Sequence, residues 1–437
     1  MKHRLLGRTI LAIEVVILLG VIIHTPLSVW FGTLWPEHGA LIKSWKELLM
    51  GVGALLIVIY ITRTHHWRDL WRDWVIRLTA AYALLHLLLL GWMSQGAVVA
   101  GAGLLIDLRY ILFFVMMYTT ARYIADARRS IVTTALAGAI IVAGFATLQV
   151  TVLPDDILTH IGYSQQTISP YLTVDQNPDY VRINSTLRGP NPLGAYASMC
   201  LVLATAYVLR RREALTRMQA VIGCVVIAGS MVAVWASYSR SAVAVAAVMA
   251  FTVASLTSTK YIKRYWWVGV AIACLVGIGA MILMQDRVFV SNVVLHENPN
   301  GGSAHTSNDG HIDSLHDGTA RMMRQPLGGG IGSTGSASLY GDRPLIIENQ
   351  YLFIAHEVGW VGLALFMILF GTVIWRLWQR RADWLALGLC VSGIGMAVIG
   401  LLLPVWVDDT VALAWWGIAG LAIGQPRRVH GKDRTRH

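Results

Sequence analysis

About a dozen long apolar runs, separated by short polar loops, fill most of this 437-residue chain. A run of about 20 apolar residues matches the thickness of a bilayer's hydrocarbon core. Inside lipid such a run has to satisfy its backbone hydrogen bonds internally, which makes it a helix. The runs predict membrane spans over residues 9–29, 47–62, 75–92, 104–122, 131–153, 190–209, 218–237, 241–258, 265–284, 347–375, 383–404 and 407–424. They are too long for strands and lack a two-residue alternation. Trp30, Trp35, Trp45, Trp266, Trp267, Trp375, Trp378 and Trp406 fall at span ends, where interfacial aromatics concentrate. The expected fold is therefore an all-α integral membrane protein of about twelve helices, a single polytopic domain over residues 1–437.

The loops sort by charge. Lys2/Arg4/Arg8, Arg63/Arg68/Arg72, Arg122/Arg128/Arg129, Arg210/Arg211/Arg212, Lys260/Lys263/Arg264, Arg376/Arg380/Arg381 and the tail from Arg427 occupy every second connection. Basic loops stay cytoplasmic, so both termini are expected on the inner side of the membrane. The formal charge of +11 would suggest nucleic acid in a soluble chain, but charged residues make up only 14% here against 56% hydrophobic. Positive-inside topology accounts for the charge, and no nucleic-acid partner is expected. Cys200, Cys224, Cys274 and Cys390 all lie in apolar runs, which implies neither a disulfide framework nor a thiolate metal site. The opening segment, Met1 to about Ile23, lacks a small-residue cleavage site after it and is expected to be an uncleaved first helix.

Counting through the signs places two long segments outside, residues 154–189 and 285–346. The second is polar, rich in Gly and Ser, and studded with histidines; short helices on the membrane surface are expected within it. Loops of that length are usually functional. No internal repeat is visible, which disfavours a transporter built from duplicated halves.

Candidate chemistry collects at the outer ends of the spans. Arg182 and Arg188 precede a Pro190-Asn191-Pro192 helix start, where guanidinium forks and a helix N-terminus both suit an anion. The same two arginines would equally serve as loop contacts to lipid headgroups. Arg240, within Ser239-Arg240-Ser241, is either a second anion ligand or a snorkelling interfacial cation. Arg109, beside Asp107 in the fourth run, reads as an anion ligand or as a structural ion-pair member. Glu348, followed by Asn349, opens the tenth span and is either a base or a carboxylate stabilised by the helix dipole. His356 lies deeper and reads as a core histidine. In the second long loop, His311 is a candidate ligand or base. Asp313, His316 and Asp317 would share one helical face, a weak divalent-metal pattern. Gly330-Ile331-Gly332-Ser333-Thr334-Gly335 fits a dinucleotide fingerprint, but no strand precedes it, and no such site is expected. The Asn184-Ser185-Thr186 sequon is too common a pattern to carry weight.

Together these residues resemble the O-antigen ligase and O-antigen polymerase superfamily of bacterial membrane glycosyltransferases. Arg182 stands nine residues before Asn191, Ser239-Arg240 opens a later span, and Pro326-Leu327-Gly328 leads into further glycines through Gly335. Asn349 keeps the family's spacing to Gly359 and Gly362, while Glu348 replaces the His that ligases carry before that Asn. The resemblance covers roughly residues 180–365. It implies a donor glycan on undecaprenyl diphosphate, an acceptor hydroxyl on a glycan, lipid or protein, and an active site on the extracytoplasmic face. Arg182, Arg188 and Arg240 would grip the diphosphate, with Asn191, Asn349, His311 and Arg109 near the substrate. Glu348 would deprotonate the acceptor for an inverting attack. No metal, nucleotide or other cofactor is implied, since the donor carries its own leaving group. Ligase and polymerase remain close alternatives, and a transporter or flippase for lipid-linked or anionic substrates is the rival class. The outer-rim position of the ionisable residues favours an enzyme over that rival.

Overall fold

The computed structural model describes residues 2–93, 95–174, 177–257 and 307–426. The predicted span 265–284, His305 and the basic tail lie outside the described residues.

Nine described helices are long and apolar enough to cross a membrane. They are α1 (Lys2–Leu34), α2 (Gly39–Thr64), α4 (Trp74–Trp92), α5 (Ala97–Tyr123), α6 (Ala127–Thr151), α7 (Pro190–Arg211), α8 (Arg217–Ala236), α9 (Arg240–Thr257) and α12 (Gln350–Gln379). A short α3 (Trp67–Trp71) precedes α4, while α10 (Ser307–Arg324) and α11 (Gly335–Ser338) lie in the second long loop. Two shorter apolar helices follow, α13 (Trp384–Ile399) and α14 (Asp409–Gly424). At 16 residues each they are about 24 Å long, short of a full hydrocarbon core. Polar residues fix where the helices start. Asp73, Asn349, Asp383 and Asp408 accept first-turn amides, Thr216 forms a capping box with Gln219, and Pro190 opens α7.

The first long loop departs from an all-helical reading. It carries an antiparallel hairpin, β1 (Leu172–Val174) with β2 (Asn177–Arg182), which pairs Leu172 with Arg182.

The bundle's centre is aromatic. Trp415 and Trp416 of α14 stand edge to face, 5.1 Å apart, against Phe370 of α12, Phe114 of α5 and Trp406. Such pairs favour this tilted geometry. α14 reaches α5 closely because Gly420 and Gly424 present no side chain. A Cβ on Gly420 would overlap the Phe114 carbonyl, and one on Gly424 the Tyr118 carbonyl. This small-xxx-small spacing lets backbones approach where lipid supplies no hydrophobic drive for association. Gly420→Val is expected to lower the detergent-solubilised melting temperature clearly, with an overpacking cost of about 1–3 kcal/mol. An unchanged melting curve would show that the two helices separate freely.

At one end of the bundle the basic loops are tied to acids. Arg122 holds Asp69 through two 2.9 Å bonds, Arg376 pairs with Asp73 at 2.7 Å, and Arg128 holds Asp383 at 2.6 and 2.7 Å. The bonds from Arg122 and Tyr123 hold the Asp69 carboxyl below its usual range. That tie is therefore present at neutral pH and loosens only as acid takes the pH down through the lowered value. The described parts of the two long loops sit at the opposite end, where the candidate chemistry lies.

Candidate functional site

Arg182, the last residue of β2, joins three segments. Its Nε donates to the Ser237 carbonyl at 2.9 Å, and its Nη2 donates to Asn191 Oδ1 at 2.7 Å. Beside it the Ile183 amide donates to the Ala236 carbonyl at 3.2 Å. The nine-residue spacing of the Arg and Asn is thus the distance from a strand end, round a turn, to the first turn of α7. Ser185 sits in that turn at φ 49°, and Tyr238 precedes Ser239 at φ 46°. Left-handed backbone at residues other than Gly is uncommon and persists only where neighbours hold it. Here they do: the Ser185 amide donates to Gln149 Oε1 and its hydroxyl to the Val142 carbonyl, both at 2.8 Å. α9 then begins at Arg240 and packs on α7, where Ser198 Oγ bonds the Gly194 and Ala242 carbonyls. The result is one corner containing Arg182, Asn191, Ser239 and Arg240. Asn184 is buried in the same turn, with its amide on the Ser169 and Pro170 carbonyls, so the sequon is part of the frame.

A second corner forms at the start of α12. Glu348 is half-buried, and its amide donates to Ser314 Oγ of α10 at 3.2 Å. A small cleft beside it is lined by Ser314, Leu315, Asn349, Leu401 and Leu402. Asn349 is expected as a substrate ligand, but the structure uses it as the cap. Its Oδ1 accepts from the Tyr351 and Leu352 amides, and its Nδ2 donates to the Leu401 carbonyl. The cap fixes the backbone next to Glu348. The segment 400–408 connects this corner to the first one. Gln350 bonds the Gly400 carbonyl and the Trp406 amide, and Asp408 lies within electrostatic range of Arg188, which is exposed. α10 packs against α12 and brings its helical backbone over this end, with His311 on it. The His311 side chain lies outside the described residues. Asp317 on the same helix pairs with Arg321 at 2.7 Å, which draws it away from the metal pattern.

The glycine motifs meet one another. α12 breaks at Gly359, whose φ of 68° and ψ of −173° are not helical. The break releases backbone groups, and residues 326–330 take them up. Gly330 donates to the Glu357 carbonyl at 3.2 Å, and Trp360 donates to the Pro326 carbonyl at 2.9 Å. A Cβ at Gly359 would press on the Pro326 carbonyl, so only glycine fits both the backbone angle and the space. The rest of the glycine loop rests on α5 and α12, as a structural wedge.

Arg109 lies elsewhere. It is buried among the helices with Asp409, Glu47 and the Val407 carbonyl around its guanidinium, and Asp409 also takes Lys46 at 2.8 Å and His24 at 3.7 Å. That placement matches the ion-pair reading of Arg109. A further interior group sits under the glycine loop. Asp107 lies beside Glu357, with His86 Nε2 3.7 Å from its carboxylate, and Glu357 accepts the Thr334 amide. Among the described residues, His86 Nε2 has no hydrogen-bond partner, while the Asp107 and Glu357 carboxyls face each other. Reading the sequence missed these clusters, although the adjacent acids Asp408-Asp409 before an apolar run were a visible signal.

No protein-family model matches the chain, and no curated protein matches it.

Proposed function

We propose that this chain is a membrane glycosyltransferase of the O-antigen ligase type, spanning a bacterial plasma membrane twelve times with residues 154–189 and 285–346 outside. It would move a glycan from undecaprenyl diphosphate to an acceptor hydroxyl. The observation that carries this reading is the hydrogen-bonded junction of Arg182, Asn191 and Ser237 beside Arg240. Arg182, Asn191 and Arg240, drawn from three separate segments, converge in one corner. Two of the Arg182 nitrogens hold that frame, and Arg182, Arg188 and Arg240 together would grip the diphosphate. Fixed guanidinium groups aimed at a leaving diphosphate stabilise the charge that builds as the bond to the sugar breaks. Glu348, held at the cap of α12, takes the acceptor proton. The acceptor oxygen then attacks the anomeric carbon from the side opposite the diphosphate and inverts it. The diphosphate is itself the leaving group, so the proposal routes no step through a metal or nucleotide.

Arg182→Lys is expected to cut transfer about tenfold, because Lys keeps the charge but cannot make both bonds of the planar fork. Activity equal to wild type in a purified assay would remove the fork from the account.

Polymerase action is the near alternative, since the ligase His is a Glu here. Transport is favoured by one observation, the two enclosed ionisable groups around Asp409 and Asp107 among the apolar helices, since transporters bind their substrates between helices. The glycan profile of a deletion strain separates the three. Full-length unattached chains mark a ligase, short lipid-linked chains a polymerase, and glycans trapped inside the membrane barrier a transporter. The expected result is the first.

A further inference from the structure

Further along α7 from the corner just described, a cavity of about 280 Å³ opens between α6, α7, α8 and α13. Its walls include Leu136, Tyr196, Leu203, Tyr207, Val226 and Trp384. Leu136 is exposed at the rim, so the cavity meets the surface that faces lipid in a spanning bundle. Along α7 the lining runs from Tyr196 to Tyr207, about 16 Å at 1.5 Å per residue. Half of a hydrocarbon core of about 30 Å is nearly the same length. At the mouth, Tyr207 and Trp384 stand edge to face 4.9 Å apart, the arrangement of an interfacial aromatic pair.

The helix ends beside that mouth are basic. Arg211 ends α7, Arg217 begins α8 and Arg129 opens α6, each about one turn from the lining residues of its own helix. All three are exposed, and among the described residues no carboxylate pairs with them. Their neighbours are already engaged, Arg128 by Asp383 and Gln425, and Arg210 by the Leu256 and Arg381 carbonyls. A one-leaflet apolar slot therefore ends at an interfacial aromatic pair with three uncommitted guanidinium groups above it.

We infer that this is a binding site for an anionic phospholipid, with one acyl chain in the slot and the phosphate on Arg129, Arg211 and Arg217. The length of one leaflet favours an acyl chain over a polyprenyl tail, which would overrun it. The surplus of positive charge favours an anionic headgroup over a zwitterionic one, and each arginine strengthens such binding about fivefold. The inference is independent of the chemistry at the other end of the bundle.

The test is native mass spectrometry of the full-length protein in detergent, titrated with phosphatidylglycerol or with phosphatidylcholine of the same chains. One phosphatidylglycerol is expected to bind at least tenfold more tightly than phosphatidylcholine. Arg211→Gln with Arg217→Gln is expected to weaken phosphatidylglycerol about 25-fold and leave phosphatidylcholine unchanged. Ala204→Phe, which fills the slot, is expected to weaken both lipids; if it fails to fold, the surface arginine variant decides alone. Equal retention of the two lipids, phosphatidylglycerol binding indifferent to the arginine variant, or its displacement one for one by undecaprenyl phosphate would overturn the assignment.

Discussion

Glu348→Gln is expected to lower glycan transfer by about 10²–10⁴-fold, the usual worth of a general base. Gln keeps the shape and hydrogen-bonding reach of the side chain but cannot take a proton. The start of α12 is held by the Asn349 cap and by the bond from the Glu348 amide to Ser314, neither of which uses the Glu348 carboxylate. With that cap retained, the variant is expected to bind the lipid-linked donor as before, with the loss confined to kcat. Glu348→His is expected to recover part of the rate, since imidazole is the base that the resemblance places there. Wild-type turnover by Glu348→Gln would move the base elsewhere, with His311 on α10 the next residue to replace.

Asp409→Asn is expected to destabilise the fold by about 3–5 kcal/mol, the cost of leaving a buried partner charge unpaired. Asp409 faces Arg109, Lys46 and His24 at once, and the Arg109 and Lys46 side chains are almost fully enclosed. Asn would leave two cations in the interior against Glu47 alone. Removing the pair together, as Asp409→Leu with Arg109→Met, is expected to cost less than Asp409→Asn, because it takes away charge and countercharge. Thermal unfolding of the purified variants measures both. Near-normal stability of Asp409→Asn would show that the cluster is hydrated, and would return Arg109 to the list of anion ligands.

The spans were legible because an apolar run of bilayer length has one local solution in lipid. Nine long helices and two shorter ones fall on eleven of the twelve predicted runs, while residues 265–284 lie outside the described residues. The hairpin was not legible, since Asn177, Pro178 and Asp179 are poor strand formers and only their partners across the turn pair them. Gly359 was visible as a motif residue within a predicted continuous span. Its break was not, because the left-handed backbone is balanced by bonds from residues 326–330, about thirty positions upstream. The corner around Arg182 was readable as spacing but not as geometry. That Asn349 caps a helix, and that Arg182 spends two nitrogens on protein groups, depends on which carbonyls stand beside them. The charge clusters escaped because one draws its members from four helices and the other from three, and the adjacent acids Asp408-Asp409 signal none of their partners.

The central claim is tested most directly by purified protein in liposomes, given a fluorescent oligosaccharide on undecaprenyl diphosphate and an acceptor glycan. The account expects attachment of the oligosaccharide to the acceptor, with one undecaprenyl diphosphate released per transfer, and loss of both in Arg240→Ala. Passage of the intact lipid-linked oligosaccharide from one leaflet to the other, with no diphosphate released, would contradict it.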